Sequence, residues 1–124
     1  QHSYLDDYSV IGRMYQALDL YLVTSRQEGG PKAILESMAS GVPLISTRVG
    51  QATDSIHHEK NGWLAEIDDV EALAHWVLRV YSLDERTLAP ILSQGRMTAE
   101  ANSYDAQVPL WAEFMKGFVT CNFC

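Results

Sequence analysis

Basic residues are scarce in this chain: 9 Lys and Arg stand against 16 Asp and Glu over 124 residues, a formal net charge of −7. A surface that negative repels nucleic acid and anionic lipid, and no local cluster of Lys or Arg reverses the sign. Nucleic acid is therefore excluded as a partner, and an anionic ligand would have to be held by local backbone dipoles or by another part of the protein. No apolar run approaches the ~20 residues that a membrane span requires. Gln1-His2-Ser3-Tyr4 has neither the basic start nor the hydrophobic stretch of a signal peptide, and with no initiator Met the chain reads as a fragment. Cysteine is confined to Cys121 and Cys124. A zinc site needs about four ligands and no second pair exists, so two reduced thiols on a disordered tail over 120–124 are expected, in keeping with a cytoplasmic protein. There is no internal repeat and no low-complexity segment. His57-His58 are adjacent, point apart and lack a third ligand, which reads as solvent-facing imidazoles.

What is present is a short alternation of helical and strand patterns. Ile11, Met14, Tyr15 and Leu18 recur at spacings of three and four, predicting an amphipathic helix over 8–18. Residues 19–24 read as a buried strand and 25–30 as a polar loop. Pro31 opens a helix where a missing N–H costs nothing, and Gly41 stops it. Residues 42–46 form a second strand, 53–57 a short helical segment, Asn61-Gly62 a turn and 63–67 a third strand. Asp68 with Glu71 resembles a capping box ahead of a helix carrying Leu73, Val77 and Val80. From Asp84 to about Val119 the pattern is helical, with breaks near Asn102-Ser103 and around Pro109. Trp111, Phe114 and Phe118 read as core packing. Strand and helix alternating through short connections argue an α/β fold: a partial Rossmann-like parallel sheet with flanking helices, in one domain over 1–124.

In an open parallel sheet, ligands bind where strand C-termini meet helix N-termini. The loop from Ser25 to Gly30 holds that place. Gly29 and Gly30 let backbone N–H groups approach a ligand with no Cβ in the way, and the free N–H groups of the next helix favour an anion or hydroxyl oxygens. Glu28 stands at the rim. Glu36 lies about 8 Å along the helix axis from its start. An ionised carboxylate accepts two hydroxyl donors at once, which suits a vicinal diol. Taken alone, Glu28 also reads as a solvated loop carboxylate, and Glu36 as a surface residue paired with Lys32 or Arg26.

The flanking pattern decides between these. Ser25-Arg26-Gln27-Glu28-Gly29-Gly30-Pro31-Lys32-Ala33-Ile34-Leu35-Glu36-Ser37-Met38-Ala39-Ser40-Gly41-Val42-Pro43 resembles the signature of the retaining glycosyltransferases of family 4, which have the two-domain GT-B fold. Its hallmark is a Glu, seven residues, a second Glu, then a small-residue helix end and G-x-P. The similarity extends through Val49-Gly50, Asn61-Gly62-Trp63-Leu64 and the helix start at Asp69, and Tyr104 fits the position where the family's last helix crosses back between domains. The resemblance implies the C-terminal part of a GT-B glycosyltransferase taking a nucleotide-diphosphate sugar, with a saccharide or lipid-linked acceptor and a role in polysaccharide biosynthesis. It implies that Glu36 binds the donor's ribose hydroxyls and that Glu28, the catalytic candidate, contacts the transferred sugar. Gly29, Gly30, Pro31 and Lys32 would line the sugar and phosphates.

No metal and no cofactor are expected, since Asp6-Asp7 and Asp68-Asp69 are adjacent pairs and not a D-x-D. The phosphate-gripping basic residues and the N-terminal acceptor domain are expected upstream, so the fragment alone is expected to be inactive. Any attachment at the inner membrane would come through parts not present. The family often has Gly-Gly and Glu where this chain has Gly50-Gln51 and Asp54, a departure at the second strand-to-helix turn. Two other readings stand beside this one: a sugar-nucleotide epimerase of the same fold, and a non-catalytic α/β binding domain. Ser40 is not a nucleophile elbow, because the leading glycine is lacking.

Overall fold

A computed structural model describes residues 7–30 and 32–119. The order is α1 (Tyr8–Gln16), β1 (Tyr21–Val23), α2 (Lys32–Ser40), β2 (Leu44–Thr47), α3 (Ala52–Ser55), β3 (Trp63–Ala65), α4 (Val70–Tyr81), α5 (Glu85–Ala101) and α6 (Tyr104–Val119). The strands form one parallel sheet in the order β1-β2-β3, with Leu22 opposite Ile45 and Ser46 opposite Leu64. The α/β expectation holds. Pro31 and the tail at 120–124, with Cys121 and Cys124, lie outside the described residues.

Helices lie on both faces of the sheet, the usual arrangement for parallel strands, and Leu22 of β1 remains 42% exposed on the α4 side. Successive strand side chains point to opposite faces, so Leu44 and Leu64 go to one side and Ile45, Trp63 and Ala65 to the other. The first core joins Leu44 and Leu64 to Val23, Ile34, Met38, Val49, Ile56 and Ala99. The second packs Trp63, Ile45 and Ala65 beneath Leu73 and Val80, with Trp76, Val77 and Leu88 at its margin. Helix α5 crosses α2 closely: a Cβ at Gly95 would lie only 3.5 Å from the Met38 side chain.

The helix ends are chemically specified. Asp7 and Asp84 cap α1 and α5 by accepting from the N–H groups of Ser9 (2.8 Å) and Thr87 (2.9 Å). Helix α2 closes in a Schellman motif: Gly41 at φ 72 donates to the Met38 carbonyl, and Val42 donates to Ser37. The cap of α4 is Asp69, which accepts from the Ala72 N–H at 2.8 Å, and not Asp68. This corrects the capping-box reading, because Asp68 is diverted into a left-handed turn at φ 65.

The hydrogen bonds from Thr87, its side chain first and then its N–H, hold the Asp84 carboxyl below its ordinary pKa; Ser9 does the same for Asp7. A depressed folded value means the contribution is complete above the unfolded pKa and is lost as pH falls through the folded one. The thermal midpoint of Asp84→Ala should therefore lie below that of the wild type at neutral pH. The gap should close as pH is taken below about 4, the ordinary carboxylate range. A gap that persists at pH 2 would remove the charge component of the cap.

Three expectations need correction. Trp111, Phe114 and Phe118 do not enter a core. They pack edge to face on one another along α6, at 5.8 and 5.0 Å between ring centroids, and each remains more than half exposed. Their three-and-four spacing specifies a helical stripe and not what covers it. Pro109 does not break α6, and Pro90 does not break α5. Each is the sixth residue of its helix, so the hydrogen bond it forgoes would fall to a carbonyl of the first turn, at the exposed Asp105 or Arg86. His58 is half-buried, not solvent-facing: its Nδ1 accepts the Leu64 N–H at 3.0 Å and its ring meets Trp76 edge to face. The bridge between His58 and Gly62 folds the turn back to make that bond. His57 is exposed as expected.

Candidate functional site

The turn after β1 carries Glu28, and it is anchored at its first residue. The Ser25 carbonyl accepts from the buried Thr47 hydroxyl of β2 at 2.6 Å, while the Ser25 hydroxyl donates to Glu28 Oε1 at 2.6 Å. Arg26 pairs with Asp68 at 2.5 Å, linking this turn to the one after β3. The turn after β2 closes the rim: Gly50 adopts φ 46 and lies directly against the backbone carbonyl oxygens of Glu28 and Gly29. Only a residue without Cβ fits there. Three turns thus meet at the C-terminal end of the sheet, with Glu28, Gly29 and Gly30 exposed on the outermost one.

Lys32 opens α2. Its ammonium lies 5.3 Å from the Tyr8 ring centroid and 3.4 Å from the Tyr8 hydroxyl. Glu36, one turn on, is partly buried and accepts from the Tyr15 hydroxyl at 3.2 Å. Lys32 and Glu36 share the wall of a cleft of about 480 Å³, floored by Leu35 and Ala39 and closed by Ser103 and Tyr104 at the α5–α6 elbow. Glu28 is not part of that wall. The geometry therefore joins Lys32 to Glu36 and places Glu28 on the neighbouring rim, at the other end of the same turn-to-helix segment. Pro31, between them, is outside the described residues.

Sequence reasoning did not single out Tyr15 or the contact of Gly50 with the Glu28 carbonyl. Tyr15 is 21 residues from Glu36, and only the docking of α1 on α2 brings them together. Gly50 carried a local turn signal, but nothing in a sequence says which carbonyl a turn will abut.

The family model described as Glycosyl transferases group 1 matches residues 2–82. The chain belongs to this family. Among its relatives, the chain is 35% identical over 81 residues to the putative colanic acid biosynthesis glycosyltransferase WcaL of Escherichia coli K12, covering 65% of this chain and 20% of WcaL. Two solved structures are also similar. The C-terminal domain of the glycosyl transferase group 1 family protein LpcC from Francisella tularensis matches with a TM-score of 0.69 and 27% identity, over 81% of this chain and 51% of that one. HepE of Anabaena, crystallised with UDP-glucose, matches with a TM-score of 0.74 and 25% identity, over 86% of this chain and 30% of HepE. The group 1 chain described here thus spans about a fifth of the length of its matched curated relative. Among the described residues, no helix is long and apolar enough to cross a membrane.

Proposed function

We propose that this chain supplies part of the donor site of a retaining glycosyltransferase that moves a sugar from a nucleoside diphosphate to a saccharide or lipid-linked acceptor. The observation that carries the reading is the segment from Glu28 to Glu36. It begins on the rim where three strand-to-helix turns converge and ends in a cleft one helix turn past Lys32. A nucleotide sugar is long enough to use both places: sugar at the exposed turn, diphosphate over the start of α2, ribose in the cleft. The family membership and the UDP-glucose complex of HepE support a donor of this class.

In this reading Glu36 accepts from the ribose hydroxyls and Glu28 from hydroxyls of the transferred sugar. The N–H groups of Gly29, Gly30 and Lys32 face the diphosphate, where fixed dipoles stabilise the charge that grows on departure. Glu28 is engaged by Ser25 through one oxygen, which leaves Oε2 open to a ligand. Catalysis then rests on positioning and electrostatic stabilisation, with no protein nucleophile, no metal and no cofactor in this segment. The acceptor domain and the phosphate-gripping cations belong to other parts of the protein.

Calorimetric titration of the full-length protein with nucleoside diphosphates tests this. Glu36→Ala should weaken binding by about 1.5–3 kcal/mol, the value of hydrogen bonds to a charged group, or roughly ten- to a hundredfold. Unchanged affinity in a folded variant would remove Glu36 from the site and leave the rim alone to carry the reading.

A further inference from the structure

The Glu36 carboxylate does not stand free in its cleft. Its hydrogen-bond partner is the Tyr15 hydroxyl, at 3.2 Å from Oε2. Lys32, the cation one turn earlier on the same helix face, turns instead toward the Tyr8 ring and hydroxyl. Tyr15 is itself held: its ring sits edge to face on Tyr21 of β1, 5.3 Å between centroids at 66°. A carboxylate can only accept, so the phenol must donate, and among the described residues Oε1 with the remaining lone pairs is left for hydroxyl donors.

We propose that Tyr15 is a positioning residue for Glu36, fixing the carboxylate so that its free oxygen meets the hydroxyls of a ribose. The inference rests on the assignment of Glu36 to the ribose. A glutamate has three side-chain torsions, and an unrestrained carboxylate must be ordered at each binding event. A hydroxyl delivered from α1, braced against the sheet through Tyr21, removes that ordering from the binding step, which is preorganisation by a neighbouring rigid group. The donor is also permanent. Burial first, then the neighbouring Tyr21 and Glu36, pushes the Tyr15 phenol well above its ordinary pKa, so it keeps its proton throughout the working range.

The test uses the full-length protein and titrates UDP, GDP and ADP, each beside its 2′,3′-dideoxy counterpart, into wild type, Tyr15→Phe and Glu36→Gln. Phenylalanine keeps the ring on Tyr21 and removes only the hydroxyl. The best-bound ribonucleotide should weaken about five- to tenfold in Tyr15→Phe, the cost of ordering one freed, rotamer-rich side chain on binding. Its dideoxy counterpart should change less than about twofold, the spread expected when no contact is lost. The ribose preference thus shrinks while the thermal midpoint holds.

If both forms weaken alike, Tyr15 supports packing only and the proposal is overturned. It is also overturned if the wild type prefers ribose, Glu36→Gln loses that preference and Tyr15→Phe keeps it; the ribose assignment then survives. A wild type indifferent to the ribose hydroxyls, or one that binds none of the three nucleotides, overturns that assignment and the proposal with it.

Discussion

Replacing Gly50 with valine should raise the Kd for a nucleoside diphosphate sugar more than about a hundredfold while the protein stays folded. Two penalties act at this position. At φ 46 a β-branched residue is a genuine outlier, and the left-handed conformation costs about 1–2 kcal/mol even before any contact. A Cβ would also collide with the Glu28 carbonyl oxygen and lie 3.0 Å from that of Gly29. The exposed turn after β1 is the softer partner, because its ties run through Ser25 to Thr47 and through Arg26 to Asp68, ahead of the exposed Glu28 and Gly29. The turn therefore moves, and Glu28 and Gly29 move with it. A displacement that removes two charge-assisted contacts amounts to roughly 3 kcal/mol or more, hence the hundredfold figure.

Gly30→Ala is the informative companion, since a Cβ there meets nothing within 4 Å and its φ is ordinary. Its thermal midpoint should match the wild type, so any weakening of donor binding measures how closely the ligand approaches Gly30. Should Gly50→Val bind the donor normally, the rim would play no part in the site.

The largest effect on stability is expected at Asn61. This side chain is 4% exposed and bridges three elements. Its Oδ1 accepts the His57 N–H at 2.7 Å, and its Nδ2 donates to the Ser55 carbonyl and the Thr98 hydroxyl, each at 3.0 Å. Asn61→Leu leaves the first two backbone groups without the side-chain partner they have in the wild type. At about 1–3 kcal/mol for each orphaned group, the loss should total roughly 2–6 kcal/mol. Denaturant melts of wild type and variant would read it directly. Thr98→Val removes one member of the network and keeps both backbone bonds, so it should cost markedly less. Equal losses in the two variants would place the stabilisation in the α5 packing and not in the turn.

Much of the architecture was legible in the sequence because the strands are short, β-branched or aromatic in part, and alternate with helical periodicity. Gly41 marks the end of α2 through a positive φ that few other residues adopt, and Gly62 marks the entry to β3 through close packing, where a Cβ would lie 3.2 Å from Ile56 and from the Leu44 carbonyl. The candidate site was legible to the extent that it is local: Glu28 through Glu36 is one continuous run. What escaped is what folding brings from elsewhere. Tyr15 was assigned only to the apolar side of α1, whereas its hydroxyl turns to Glu36; Met14 and Leu18, given the same role, are about half exposed. The aromatic stripe of α6 shows the reverse error, since periodicity identifies a face but not its neighbour. His58 went unrecognised because an acceptor bond from a backbone N–H six residues away leaves no trace in composition.

The sheet, finally, is a partition. Adjacent residues such as Leu44 and Ile45 belong to opposite compartments, so the hydrophobic residues beneath α2 and those beneath α4 share almost no surface. Substitutions in such separate compartments add independently to the free energy of unfolding. Glu36 and Tyr15 stand over the α2 compartment. Away from His58, which joins Trp76 to the Leu64 N–H, exchanges beneath α4 should therefore leave the wall behind the carboxylate as it was.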